Sequence, residues 1–89
     1  MPTLSFATRL RAVAPPDGTR VQGESVRAAL EAVFASHPML RGYVLDDQGA
    51  LRKHVAIFVD GIRLQGTEAL RAPTREASEI HVLQALSGG

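Results

Sequence analysis

The stretch VAIFVDGIRL, residues 55–64, decides the fold of this chain. Its first half, Val55–Val59, is β-branched, aromatic and apolar on both faces, which predicts a central strand. Asp60-Gly61 follows at once, and this dipeptide favours a type I′ turn. The stretch is therefore predicted to be a β-hairpin that returns along Ile62–Leu64.

Upstream of the hairpin lies the clearest helix of the sequence. Ser25 is its predicted N-cap, because a serine hydroxyl accepts from a backbone N–H that has no partner inside the helix. His37-Pro38 ends the helix, since a residue before proline is pushed out of the α region. Between these ends, apolar residues at helical spacing form one stripe that predicts a buried face: Val26, Ala29, Leu30, Val33 and Phe34. The following Leu40–Leu45 is predicted to be extended or irregular.

Further strands are predicted on both sides of the helix. Thr3–Leu10 alternates apolar and polar residues, and a loop rich in turn formers leads from it to a second strand over Thr19–Gln22. Glu79–Leu86 is the last strand, and Gln65–Ala77 is predicted to be irregular because it contains Pro73. The order predicts an α+β fold in which a mixed sheet of four to five strands packs on one main helix.

Length and composition limit the classes of function. The chain has 89 residues, room for one domain, predicted over residues 1–85 with a flexible tail over 86–89. It has no cysteine, and its three histidines, His37, His54 and His81, lack metal-ligand spacing, so no metal site is expected. A net charge of +1 is too small for bulk electrostatic binding of nucleic acid. With no signal peptide or membrane-spanning run, we expect a cytoplasmic protein without a membrane partner.

Three segments of the chain resemble one known family. Ser25–Phe34 is similar to its "TVREAL"-like helix, Leu51–Gly61 to its "LRxHVNVFVNG"-like strand and turn, and Glu79–Gly89 to its "EVHILPAVAGG"-like strand and tail. With the element order, they resemble the β-grasp, ubiquitin-like sulfur carriers of the MoaD/ThiS-like family over nearly the whole chain. Gln84 departs from the pattern, because the family usually has proline there.

The resemblance implies a function for the tail. In this family an adenylating, ubiquitin-activating-like enzyme uses ATP to activate the terminal glycine, and a sulfur donor then converts the acyl-adenylate to a thiocarboxylate. Gly89 is thus the expected adenylation and thiocarboxylate site, since a free carboxylate is a poor acyl donor. Gly88 and Ser87 are expected to thread into a narrow channel of the partner, where a Cβ on the glycine would meet the wall. No catalytic residue or bound cofactor is expected in the chain itself.

The resemblance also implies a downstream partner. The sulfur would pass to an enzyme of a biosynthetic pathway, such as that of molybdopterin or cysteine. The chain would be a protein co-substrate and not an enzyme, and it could be the non-catalytic small subunit of molybdopterin synthase. Two other functions stay open at this point: a ubiquitin-like modifier conjugated to target lysines through Gly89, and a non-covalent β-grasp binding module.

An exposed apolar patch on the sheet near the tail is the expected docking surface for these partners, because carriers of this family dock through the sheet. Its candidate residues, on the condition that they point outward, are Phe58, Leu64, Leu83 and Leu86.

Overall fold

The chain folds into one mixed sheet with three helices, and the computed structural model describes residues 1–84. The elements are β1 (Thr3–Phe6), a 3-10 turn (Thr8–Leu10), β2 (Thr19–Arg20), α1 (Val26–Ser36), α2 (Pro38–Val44), β3 (Val55–Val59), β4 (Ile62–Leu64), α3 (Gly66–Arg71) and β5 (Glu79–Gln84). The sheet has the order β2-β1-β5-β3-β4. The predicted α+β class with a mixed sheet is confirmed, and the sheet has five strands.

The last strand along the chain lies in the middle of the sheet. β5 pairs in parallel with β1, where Leu4 lies beside Ile80, and antiparallel with β3, where Ile57 lies beside Val82. These four side chains point toward the helices and are at most 1% exposed. The hydrophobic core therefore lies between this face of the sheet and the helices.

Helix α1 forms as its sequence predicts. The Ser25 hydroxyl accepts from the backbone N–H of Ala28 at 3.1 Å, so the predicted N-cap is confirmed. All five residues of the predicted stripe are buried, and each large apolar side chain contributes about 1.5–3 kcal/mol to stability on burial. The helix ends at Ser36, before His37-Pro38. Among residues 1–84, no helix is long and apolar enough to cross a membrane.

Helix α2 corrects one sequence prediction. Leu40–Leu45 is not extended over most of its length, because α2 begins at Pro38 and continues to Val44. Proline is favourable in the first turn of a helix, where its missing N–H costs no hydrogen bond. Leu40 and Val44, one turn apart, are both buried against the core and hold α2 in place.

A second correction concerns the segment after β4. Gln65–Ala77 contains the one-and-a-half-turn helix α3, whose Ala69 and Leu70 are buried. Pro73 lies beyond the end of this helix and so does not prevent it. The first predicted strand is also shorter than expected, because Leu10 lies in the 3-10 turn.

The β3–β4 hairpin has the predicted turn. Asp60 and Gly61 have φ values of +51° and +84°, the left-handed conformation that a type I′ turn requires at both positions. The Asp60 carboxylate also accepts from the backbone N–H of Glu79 at 2.9 Å. This hydrogen bond ties the hairpin turn to the start of β5.

The predicted turn at residues 46–49 is organised by one carboxylate. Asp46 Oδ1 accepts from the backbone N–H groups of Gln48 at 2.8 Å and Ala50 at 3.0 Å. These hydrogen bonds lower the pKa of Asp46 below its usual value of 3.8, because they stabilise the ionised form. The hydrogen bond from Ala50 has the largest effect. The ionised carboxylate therefore stabilises the folded turn.

We expect Asp46→Ala to lower the melting temperature at pH 7, and we expect this difference to shrink as the pH is lowered progressively below 3.8. The pKa is lower in the folded chain, so the stabilisation is present above the usual value of 3.8 and is lost as the pH falls through the lowered pKa. Thermal melts of both proteins across this range measure the difference. A difference in melting temperature that does not shrink on acidification would contradict this role of the carboxylate.

Candidate functional site

One side of the sheet faces away from the helices. Side chains on β5 alternate, with Ile80 and Val82 buried and His81 and Leu83 exposed. The strand pairing places further side chains on the same outward side of β3 and β4. We call this surface the open face and define it by Ala56, Phe58, Arg63, His81 and Leu83.

The centre of the open face is apolar. Leu83 lies directly beside Ala56 across the β3–β5 pair, and Phe58 lies next along β3 on the same side. Leu83 is 41% exposed and Phe58 is half-buried. Together they form a small apolar patch of the size and shape that a protein partner can cover.

The margin of this patch is basic. Phe58 is flanked by His81 on β5 and by Arg63 on β4. Arg63 is exposed and makes no hydrogen bond or ion pair with any of residues 1–84, whereas His81 Nε2 lies 3.9 Å from Glu79 Oε1. A partner that covers the patch can therefore offer carboxylates to Arg63.

The predicted docking residues do not all lie on this surface. Phe58 and Leu83 lie together on the open face. Leu64 does not meet the condition of pointing outward there, because it pairs with Ile57 and packs, partly buried, against the core on the opposite side of the sheet. Leu86 lies outside the described residues.

The end of β5 is flanked by basic residues that the sequence analysis did not single out. Because β3 and β5 are antiparallel, Gln84 lies beside Val55, the first residue of β3. The preceding Arg52 and Lys53 line a groove of about 270 Å³ that also contains Arg63. The run Leu51-Arg52-Lys53-His54 is visible in the sequence, but only the strand pairing places it next to the point where the chain leaves the sheet.

The predicted tail sites come shortly after Gln84 in the sequence. Ser87, Gly88 and Gly89 lie outside the described residues, three to five positions after Gln84. Within residues 1–84, no group of three or more histidine, aspartate or glutamate side chains is placed to hold a metal ion. The described part of the site is an apolar patch with Arg63 and His81 at its margin, near the end of the central strand.

Comparisons with known proteins support a fold assignment. No protein-family model and no curated protein sequence matches the chain. SAMP1, small archaeal modifier protein 1, from Haloferax volcanii has a similar structure, with a TM-score of 0.82 and 26% sequence identity over 99% of this chain and 98% of that one.

Two bacterial structures are similar as well. CysO from Mycobacterium tuberculosis has a TM-score of 0.83 at 19% identity, covering 97% of this chain and 100% of that one. A chain in the Amycolatopsis orientalis BexX/CysO complex has a TM-score of 0.81 at 18% identity and covers both chains completely. The resemblance deduced from the sequence is confirmed: over its full length, the chain is a small ubiquitin-like protein with the β-grasp fold.

Proposed function

We propose that the chain is a sulfur carrier whose Gly89 carboxyl group is adenylated by a partner enzyme and then converted to a thiocarboxylate. The observation that carries the proposal is the course of β5, the central strand of a ubiquitin-like sheet, which ends at Gln84, four residues before Gly88-Gly89. The full-length structural similarity to SAMP1, a modifier protein, supports the same use of the tail.

The chemistry follows from the state of the carboxyl group. An α-carboxyl with a pKa of about 3.5 is ionised at neutral pH and is a poor acyl donor. In the first step, an oxygen of the Gly89 carboxylate attacks the α-phosphorus of ATP and pyrophosphate leaves. In the second, hydrosulfide attacks the acyl carbon, a C–S bond forms, the bond to the adenylate oxygen breaks, AMP leaves, and the product is the thiocarboxylate.

The chain and the adenylating enzyme have different roles in these steps. The chain supplies the acyl carbon and a docking surface, and the adenylating enzyme supplies ATP binding and the catalytic groups. The apolar patch of the open face with its basic margin is the surface that we assign to docking. The CysO of Amycolatopsis orientalis is found in a complex with BexX, and a protein partner of this kind suits the open face.

Intact-mass spectrometry tests the proposal. The full chain is incubated with an adenylating enzyme of the ubiquitin-activating type from the same organism, with ATP and a sulfide source. We expect a mass gain equal to the difference between one sulfur and one oxygen atom, dependent on ATP and located on the C-terminal peptide. If the mass of the chain is unchanged when the adenylating enzyme, ATP and sulfide are all present, this result would falsify the carrier function.

A ubiquitin-like modifier is the second candidate function, favoured by the similarity to SAMP1. In that case the same activated Gly89 would acylate a lysine amine on a target, with loss of AMP or sulfide. In the same experiment with cell extract added, conjugates of higher mass that carry a Gly89 isopeptide bond would support the modifier. Transfer of the sulfur to a small-molecule product would support the carrier.

We expect Leu83→Ser to weaken binding to the adenylating enzyme by about 2 kcal/mol, a factor of about 30, because a central apolar contact is lost. The matched control is Ile62→Ser, since Ile62 is 65% exposed but lies on the opposite side of the sheet. Titration calorimetry of both variants measures the two dissociation constants. Equal weakening by the two substitutions would exclude the open face as the docking surface.

A further inference from the structure

A groove with two arginines lies on the helix side of the molecule, away from the open face. It is formed by α1, α3 and the turn at residues 46–50 and has a volume of about 350 Å³. Its polar lining includes Arg27, Gln48, Thr67 and Arg71. Because α1 packs on the core side of the sheet, this groove and the open face can be occupied at the same time.

Arg27 is held at one wall of this groove. Its Nη2 donates to the carbonyl oxygen of Gly49 at 2.6 Å. Its Nη1 lies 3.7 Å from a carboxylate oxygen of Glu31, but that carboxylate accepts from Arg41 at the much shorter distance of 2.6 Å. The close partner of Glu31 is thus Arg41, and the charge of Arg27 is only partly compensated. A guanidinium has five N–H donors, so Arg27 keeps donors for a ligand.

The wall that positions Arg27 is itself well ordered by hydrogen bonds. The Asp46 carboxylate accepts from two backbone N–H groups of the turn, and the backbone N–H of Gly49 donates to the carbonyl oxygen of Asp46 at 3.0 Å. The Gly49 carbonyl that binds Arg27 is therefore fixed before any ligand arrives. Because this wall is already ordered, less conformational entropy is lost when a ligand binds.

Helix α3 contributes three further residues to the lining of this groove, Thr67, Leu70 and Arg71. Thr67 and Arg71 are four residues apart and lie on the same side of this helix, with the buried Leu70 beneath them. Arg71 is exposed and makes no hydrogen bond or ion pair with any of residues 1–84. Two guanidinium groups from separate helices thus border one concavity, and one of them has no counter-charge in the described part of the chain.

We propose that this groove binds a small oxyanion of the phosphate class between Arg27 and Arg71. Guanidinium groups match phosphate oxygens with pairs of parallel N–H donors, and two arginines in one groove suit a doubly charged anion better than a single carboxylate. The Thr67 hydroxyl and the Gln48 side-chain amide line the same space and supply neutral donors. Because the groove is open to solvent, the affinity falls as the salt concentration rises.

Amide NMR spectra of the full chain test this site. Inorganic phosphate is added at constant pH and constant ionic strength, with sodium chloride making up the balance. We expect saturable shifts that centre on Gln48, Gly49 and Thr67, and we expect Arg71→Gln to weaken phosphate binding by about tenfold or more. Arg9→Gln is the matched control, because Arg9 is also exposed but does not line this groove, and the variant should leave the phosphate affinity unchanged.

Two results would overturn the site: shifts that do not saturate, and an equal loss of affinity in the two arginine variants. A parallel titration with AMP distinguishes the source of the phosphate group. Tighter binding of AMP than of phosphate would assign the groove to a nucleotide phosphate, and equal binding would assign it to the free anion. A variant that lacks Gly88-Gly89 should bind phosphate normally, so this test is independent of the function proposed for the tail.

Discussion

Gly88→Val is expected to reduce adenylation of Gly89 by on the order of a hundredfold, which is the size of effect that misplacement of a reacting group by about 1 Å produces. Under the proposed function the tail enters a narrow channel of the adenylating enzyme. There the two methyl groups of valine would meet the wall, and valine excludes backbone angles that glycine adopts. The measurement is the rate of ATP-dependent pyrophosphate release with the variant as the carboxylate substrate that accepts the adenylyl group.

The fold of this variant should be unchanged. Within residues 1–84 the buried core residues lie between Leu4 and Val82, and we expect a substitution at position 88 to leave this core intact. Ser87→Ala is the matched tail control, because it adds no volume, and its adenylation rate should stay close to that of the unmodified chain. Normal pyrophosphate release by Gly88→Val would mean that the tail does not thread into a tight channel.

Gly23→Ala is expected to destabilise the domain by about 3 kcal/mol or more, because a side chain at this position overpacks a rigid neighbour. A Cβ on Gly23 would lie 2.5 Å from the backbone nitrogen of Ala29 and 2.8 Å from its Cα, in the first turn of α1. The Gly23 segment cannot easily move away, since its carbonyl oxygen accepts from the Thr74 hydroxyl at 2.5 Å.

This cost is large for so small a domain, whose total stability is about 5–13 kcal/mol. Thermal melts should show a decrease in melting temperature on the order of 15 °C. Gly42→Ala is the matched control, because Gly42 lies within α2 and a Cβ there has no atom within 4 Å. Alanine is the better helix former, so this control should be neutral or stabilising by up to about 1 kcal/mol. Similar losses in the two variants would disprove the packing explanation.

The sequence predicts those elements of the fold in which capping or turn residues coincide with a regular pattern of buried apolar side chains. Ser25 and the apolar stripe identify α1 without tertiary information, and Asp60-Gly61 specifies the hairpin. The position of Leu64 was also predictable, because a two-residue turn places it opposite Ile57 and therefore on the core side. The sequence analysis left open which of the candidate docking residues point outward, and the register between β3 and β4 places Leu64 on the core side.

Other features depend on contacts that the sequence does not reveal. Helices α2 and α3 have seven and six residues, too short to be stable alone, and they form because Leu40 and Leu70 are buried by the rest of the fold. The close approach of Gly23 to α1 is likewise a tertiary contact. Arg27 and Arg71 are far apart in sequence and are brought to one groove only by the packing of α3 against α1.

The central position of β5 has a consequence for the folding kinetics. Before β5 is in place, the β1–β2 pair and the β3–β4 hairpin have no strand in common, so the sheet consists of two separate pieces. The parallel β1–β5 pair joins residues from near the two ends of the sequence, and closing such a long loop is slow. The sheet therefore closes only after nearly the whole chain has been synthesised, and until then the edges of both halves are exposed to aggregation.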